Sequence, residues 1–174
     1  GKKPVKDRPL SMMTEAARKT ILSKQPLALS KTSTRSTVHR PTYTDYIGIK
    51  RYNEKGEVVG ECRIIGLYTS AAYNSNPKDI PFLRRKVAQV MKLSKFEPLC
   101  HAGKVLQNIL DTLPRDDLFQ GTPDELLEIV MGIFHMQERR KIRMFARTDV
   151  YGRFVSCLVF VPKDLFNTQL RKEM

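Results

Sequence analysis

Arg35-Ser36-Thr37-Val38-His39-Arg40-Pro41 gathers two guanidiniums, an imidazole and two hydroxyls within a few residues. That set could hold a carboxylate or a phosphate through charge-assisted hydrogen bonds, with the planar arginine forks as the strongest contributors. The plainer use of Arg35 and Arg40 is pairing with acidic side chains of a neighbouring domain. Arg84-Arg85-Lys86 is a second basic group. It reads as a solvated helix face, or as a complement to an acidic subunit surface. Phe145, Tyr151 and Phe154 lie among Arg143, Arg147 and Arg153, an imitation of a basic-aromatic nucleic-acid face. Aromatics in a hairpin are more often core residues or cross-strand pairs.

Enzymatic and metal chemistry find no motif. The GxGxxG turn of a dinucleotide site is missing, as are a P-loop and a nucleophile elbow. His39, His101 and His135 are widely spaced; His135, beside Phe134 on a helical face, reads as a partly buried packing residue. Cys62, Cys100 and Cys157 offer no CxxC pair, so they are expected to be reduced thiols, two of them packed on strands. No catalytic, cofactor-binding or metal residue is assigned, and no cofactor is expected in this stretch. Arg35, His39, Arg40, Arg84 and Arg85 remain as interface or anion-binding candidates.

These residues need a scaffold, and the pattern supplies one. Residues 1 to about 10 read as a tail and Ser11 to Ser23 as a helix, followed by a Ser/Thr-rich stretch from Gln25 to Ser36. Tyr43 to Tyr52 and Glu57 to Thr69 read as a hairpin around Asn53-Glu54-Lys55-Gly56, a type I turn with a bulge. Gly48, Gly60 and Gly66 weaken these strands unless something approaches closely. Helical periodicity follows over Ile80–Ser94 and Ala102–Leu113, the latter stopped by Pro114. Thr122-Pro123-Asp124-Glu125 is a capping box opening a helix to about Arg139. Lys141–Thr148 and Arg153–Val161 form a second hairpin, with Ile142, Met144 and Ala146 as the apolar side of its first strand. Its second strand, apolar nearly throughout, should be central in its sheet. Lys163 to Met174 begins another helix. The class is α+β: antiparallel hairpins with helices packed on the sheet.

The 174 residues carry a net charge of +13, but unevenly. Residues 1–40 contribute +8 and residues 135–174 contribute +5, while the middle is neutral. The two ends look cut from something larger, which would neutralise them, so the charge is weak support for a nucleic-acid partner. A free-standing basic nucleic-acid-binding module is the alternative reading. No apolar run approaches the ~20 residues that span a bilayer, so no membrane partner is expected and a cytoplasmic location is the default.

The wording of two stretches adds to this. RSTVHRPTYTDYIGIKRYNEKGEVVGECRIIGLYTSAAY and QERRKIRMFARTDVYGRFVSCLVFVPKDLFNTQLRKEM resemble successive pieces of the large NAD-specific glutamate dehydrogenases of bacteria. The likeness runs in order from about Ser30 onward. It implies an N-terminal regulatory segment, with 35–137 as a PAS-like module and 138–174 as the start of a truncated ACT-like module, after a tail or linker with a possible helix over residues 1–34. It also implies partners: other domains and subunits of a homo-oligomer, and an amino-acid effector. The family's catalytic lysine, aspartate and NAD-binding loop match nothing here, so NAD would belong to the parent's catalytic domain.

Overall fold

The computed structural model describes residues 12–136 and 141–165, which divide into two compact units. The first runs to Tyr68 and is completed by Thr148–Phe154; the second takes Thr69–Arg147 and Val155 onward. The class is α+β with antiparallel sheets, as the sequence pattern indicated.

In the first unit, α1 (Glu15–Leu22) is opened by Thr14, whose hydroxyl accepts from the Ala17 amide at 3.3 Å. Three antiparallel strands follow in the order β1 (Leu27–Arg35), β2 (Tyr43–Tyr52) and β3 (Val58–Gly66). The expected hairpin is present, with its turn closed by Gly56 at φ 77° and a register shift at Arg51/Tyr52. Its partner β1 lies within the Ser/Thr-rich stretch Gln25–Ser36, for which the sequence pattern proposed no strand. Leu29, Ile47 and Ile64 form one cross-strand row, and Ser30 pairs with Tyr46 on the other face. That second face carries the core of the unit. Ala28 and Tyr46 are buried there with Tyr151, while Ala17 of α1 and Val150 pack against them.

The second unit is helical. It contains α2 (Ser70–Asn74), α3 (Pro81–Ser94), α4 (His101–Thr112), α5 (Arg115–Gln120) and α6 (Pro123–Met136). Leu83, Val90, Leu106, Leu110, Leu118, Leu126 and Val130 are fully buried, and α6 packs against both α3 and α4. The α6 capping box is complete. Thr122 Oγ1 accepts from the Glu125 amide at 3.3 Å, and the Glu125 carboxylate accepts from the Thr122 amide at 2.8 Å. Thr122→Ala should therefore lower stability by ~1 kcal/mol, measurable as a shifted urea midpoint with an unchanged slope.

β4 (Arg143–Thr148) and β5 (Val155–Phe160) pair as the second hairpin. Two expectations about it are corrected. Phe145 and Arg147 face inward on β4 while Ile142 and Met144 are exposed, so the apolar side is inverted. Phe145 selects the face, lying against Gly132 of α6 and edge-on to Phe160 at 6.0 Å. β5 is one of only two strands in its sheet among the described residues, and no more than half-buried, so it is not central. The helices placed beyond Met136 and after Lys163 fall mostly outside the described residues; Lys163–Leu165 form a turn.

Candidate functional site

The tightest polar cluster of the first unit centres on Glu61, one residue before the middle of β3. Its carboxylate accepts from Tyr46 Oη at 2.5 Å, from Tyr151 Oη at 2.7 Å and from Arg63 Nε at 3.2 Å. Tyr46 and Tyr151 meet edge to face, with centroids 5.5 Å apart. The Arg153 guanidinium lies over both rings, at 4.9 and 4.5 Å. Gly48 makes this possible: a Cβ there would overlap the Glu61 carboxylate. Gly60 and Gly66 face open space. Of the three strand-interior glycines, one is a close approach.

Electrostatics follow from burial. Burial pushes the Glu61 carboxyl up, but hydrogen bonds from Tyr46, Tyr151 and Arg63, with the Arg63 charge, more than offset it and hold the group below its ordinary value. Burial first, then Glu61, raises both tyrosines, Tyr151 well above the usual phenol range. Around this centre, Ser30 Oγ donates to Asp149 at 2.6 Å, and Asp149 accepts from the Tyr151 amide at 3.1 Å. Lys31 pairs with Asp45 at 2.8 Å, and Asp45 also accepts from the Tyr68 amide at 2.7 Å. Lys50 donates to the Ser23 carbonyl at 2.5 Å, closing α1 onto the sheet, and burial lowers its pKa. With its carboxylate held by two phenol donors and Arg63, the cluster has the chemistry of a structural clamp rather than of a general base.

A second network lies in the helical unit. Lys86 Nζ donates to the carbonyls of Leu118, Phe119 and Gly121 at 2.8, 2.8 and 2.7 Å, satisfying the open end of α5. Burial, then the Arg147 charge, push its pKa down to about 8 against a smaller opposing pull from Glu125. Arg147 donates to Gln120 at 3.0 Å and lies 3.5 Å from Asp117, which also accepts from Ser156 at 3.0 Å.

None of the interface or anion-binding candidates read from sequence bonds to Glu61 or to the α5 carbonyls. Arg35 is exposed and stacks its guanidinium over Tyr43 at 5.2 Å. His39 is exposed with φ 63°, and Arg40 donates to the Tyr68 carbonyl at 3.2 Å. Arg35 and Arg40 therefore stand at the two ends of one exposed loop in the first unit. In the second unit Arg84 and Arg85 are exposed on α3, whereas Lys86, grouped with them in sequence, is buried. His135 is exposed and bonded to the Met131 carbonyl at 2.7 Å, not a packing residue. All three cysteines are exposed, which corrects the expectation of two packed thiols; Cys100 Sγ caps α4, accepting from Gly103 at 3.3 Å. Among the described residues no cluster of three His, Cys, Asp or Glu could hold a metal, and no helix is long and apolar enough to cross a membrane.

Sequence reasoning missed Glu61, Tyr46, Tyr151, Lys86 and Arg147 as the organising polar residues. One signal was available. A glycine inside a strand, two positions from a tyrosine and opposite a strand carrying a lone Glu, marks a side chain lying across the backbone.

Two family models match consecutive parts of the chain: glutamate dehydrogenase, helical motif 1, over residues 80–139, and glutamate dehydrogenase, ACT2 domain, over residues 143–174. The first covers α3 to α6 and the second the β4–β5 hairpin. NAD-specific glutamate dehydrogenase of Halomonas elongata is 48% identical over 84% of this chain, and that of Pseudomonas aeruginosa 50% over 83%. The Mycobacterium tuberculosis protein of the same name is 31% identical over 84%. The chain spans only 9% of the length of each of these relatives. With both models and all three relatives agreeing, the chain belongs, as one short segment, to the family of NAD-specific glutamate dehydrogenases.

Proposed function

We propose that this chain is a non-catalytic regulatory and assembly segment of a large cytoplasmic NAD-dependent glutamate dehydrogenase, whose chemistry lies in another part of the protein. The parent would convert glutamate and NAD to 2-oxoglutarate, ammonia and NADH. The observation that carries the reading is the pair of matches to a helical motif and an ACT2 domain, over 9% of relatives named for that activity. The commitment of the part-buried Glu61 and the buried Asp149, Lys86 and Arg147 to internal bonds supports it, since these groups serve the fold. The exposed cations Arg35, His39, Arg40, Arg84 and Arg85 would then meet neighbouring domains or subunits, or the carboxylate of an amino-acid effector.

Incubation of the chain with glutamate and NAD should produce no NADH absorbance above a buffer blank, and turnover by protein free of host enzyme would overturn the non-catalytic reading. In the long enzyme, deletion of the segment should change oligomer mass or the glutamate saturation curve. Arg35→Ala combined with Arg40→Ala should reproduce part of that change. If the deletion leaves both unchanged, the regulatory and assembly role is wrong; if only the double substitution does, the exposed arginines are solvated and the site assignment is wrong.

A further inference from the structure

β3 is an edge strand: among the described residues it pairs with β2 alone. It is nine residues long and has no proline. Cys62, Arg63, Ile64, Ile65 and Gly66 are all exposed, and Val59 and Ile65 are 60% and 59% accessible. Folded proteins blunt such edges with proline, lysine, a bulge or a cover, because unpaired amides and carbonyls beside apolar side chains recruit another strand; β3 carries a bulge at Val59, near its start, and is regular from Gly60 to Gly66. Here the sequence of the edge also specifies which strand it would recruit.

We propose that β3 pairs antiparallel with β3 of a second copy of this chain, about a two-fold axis through Cys62. Directly opposite residues of an antiparallel pair share a face, so an axis perpendicular to the sheet keeps the α1-covered faces of both copies on one side. Such an axis must pass through a residue. Centred on Glu61 or on Arg63, it sets like charges directly opposite each other, which is destabilising. Centred on Cys62, it sets Glu61 opposite Arg63 of the second copy, twice, within the regular stretch of both strands, and brings Ile65 beside the exposed Val59 at the bulge of the second copy, twice. The charges and the apolar residues are complementary in this register. Arg63 is half-exposed, with its Nε on Glu61 of its own strand, so its side chain already lies on the face where the second carboxylate would arrive. The result is a six-stranded sheet in which both β3 edges are covered. The inference deepens the assembly reading above and rests on it, by naming the surface through which one contact is made.

The register makes its own reporter. Cα atoms directly opposite across an antiparallel pair are ~4.5–5.5 Å apart, inside the ~4.4–6.8 Å range of a disulfide. Mild oxidation with diamide of the chain carrying Cys100→Ser and Cys157→Ser should give a reducible dimer through Cys62. Sedimentation equilibrium without oxidant should show a concentration-dependent dimer. Ile65→Lys and Arg63→Glu each alter an exposed side chain. Each should weaken association about tenfold, because the two-fold axis counts every change twice, and the cross-link should fall in parallel. Hydrogen exchange of the unsubstituted chain provides a check that needs no variant: β3 amides should gain protection as concentration rises, and β1 amides should not. A chain that stays monomeric overturns the proposal. So does a dimer without the Cys62 cross-link, or a cross-link indifferent to both substitutions. Those results would sink this edge alone, whereas a long enzyme unaffected by loss of the whole segment would sink the assembly reading itself.

Discussion

Lys86→Met is expected to cost about 2–4 kcal/mol of unfolding free energy at pH 7. Two effects oppose each other. Methionine relieves the burial of an ammonium and keeps the aliphatic stem, and replacing a buried ion by an apolar group is often neutral. Against this, the carbonyls of Leu118, Phe119 and Gly121 all lose their donor at once. Each stranded acceptor costs ~1–3 kcal/mol, so three of them outweigh the relief. Far-UV circular dichroism in urea reads the change, since the chain has no Trp. The pH dependence has a definite sign. Lys86 is held at about 8 in the folded chain, below the ~10.4 of an unfolded lysine. Between those values the unfolded chain binds more protons, so stability rises with pH through this window. Below pH 8 both states are charged and the penalty of burying the ammonium is fully present. The Lys86→Met protein should lack this alkaline gain. Tyrosine ionisation affects both proteins and cancels in the difference. Equal slopes in the two proteins would show that the amine titrates as if solvated.

Glu61→Ala should remove about 3–5 kcal/mol. It leaves the Tyr46 and Tyr151 hydroxyls, both on buried residues, without their acceptor, and hydrogen bonds to a charged group contribute ~1.5–3 kcal/mol each. The half-exposed Arg63 adds little to this. Glu61→Gln should be milder, because the amide oxygen still accepts one phenol while its NH2 faces a second donor. The folded carboxyl sits below its ordinary value. Its stabilisation is therefore complete above the unfolded pKa of ~4.3 and is lost as pH falls through the lower folded value. Urea titrations from pH 7 down to pH 3 should show acid sensitivity that Glu61→Ala reduces. A substituted protein as stable as its parent would mean the two phenols find water instead.

Local signals were legible and non-local ones were not. The capping box at Thr122 and Glu125, the Gly56 turn and the periodic stripes of α3, α4 and α6 are each set by residues within a few positions, and each is present. β1 reads Leu-Ala-Leu-Ser-Lys-Thr-Ser-Thr-Arg and has no sustained alternation. Its identity as a strand depends on β2 beside it. α5, with six residues, is shorter than two helical turns and carries no usable period. Over residues 142–147 two alternating sets compete, Ile142 and Met144 against Phe145 and Arg147. The presence of an arginine argued for the wrong one, because its partners Gln120 and Asp117 lie on a helix in another part of the sequence. Lys86 misled in the same way: its neighbours Arg84 and Arg85 are solvated, and only the carbonyls of α5 explain its burial. For the same reason Glu61 drew no attention, its two phenol donors being 15 and 90 residues distant.

That last separation bears on how the protein is made. Tyr151 leaves the ribosome 90 residues after Glu61, a delay of about 5–18 seconds at typical elongation rates. During that interval the nascent sheet holds a carboxylate, Tyr46 and Ser30 whose remaining partners have not yet been synthesised. Helices α3 to α6 are all translated within the same gap and can nucleate on their own local contacts. Within this segment the β1–β3 sheet is translated before these helices and completed after them, and the short loop at Thr148–Phe154 acts as its late-arriving latch.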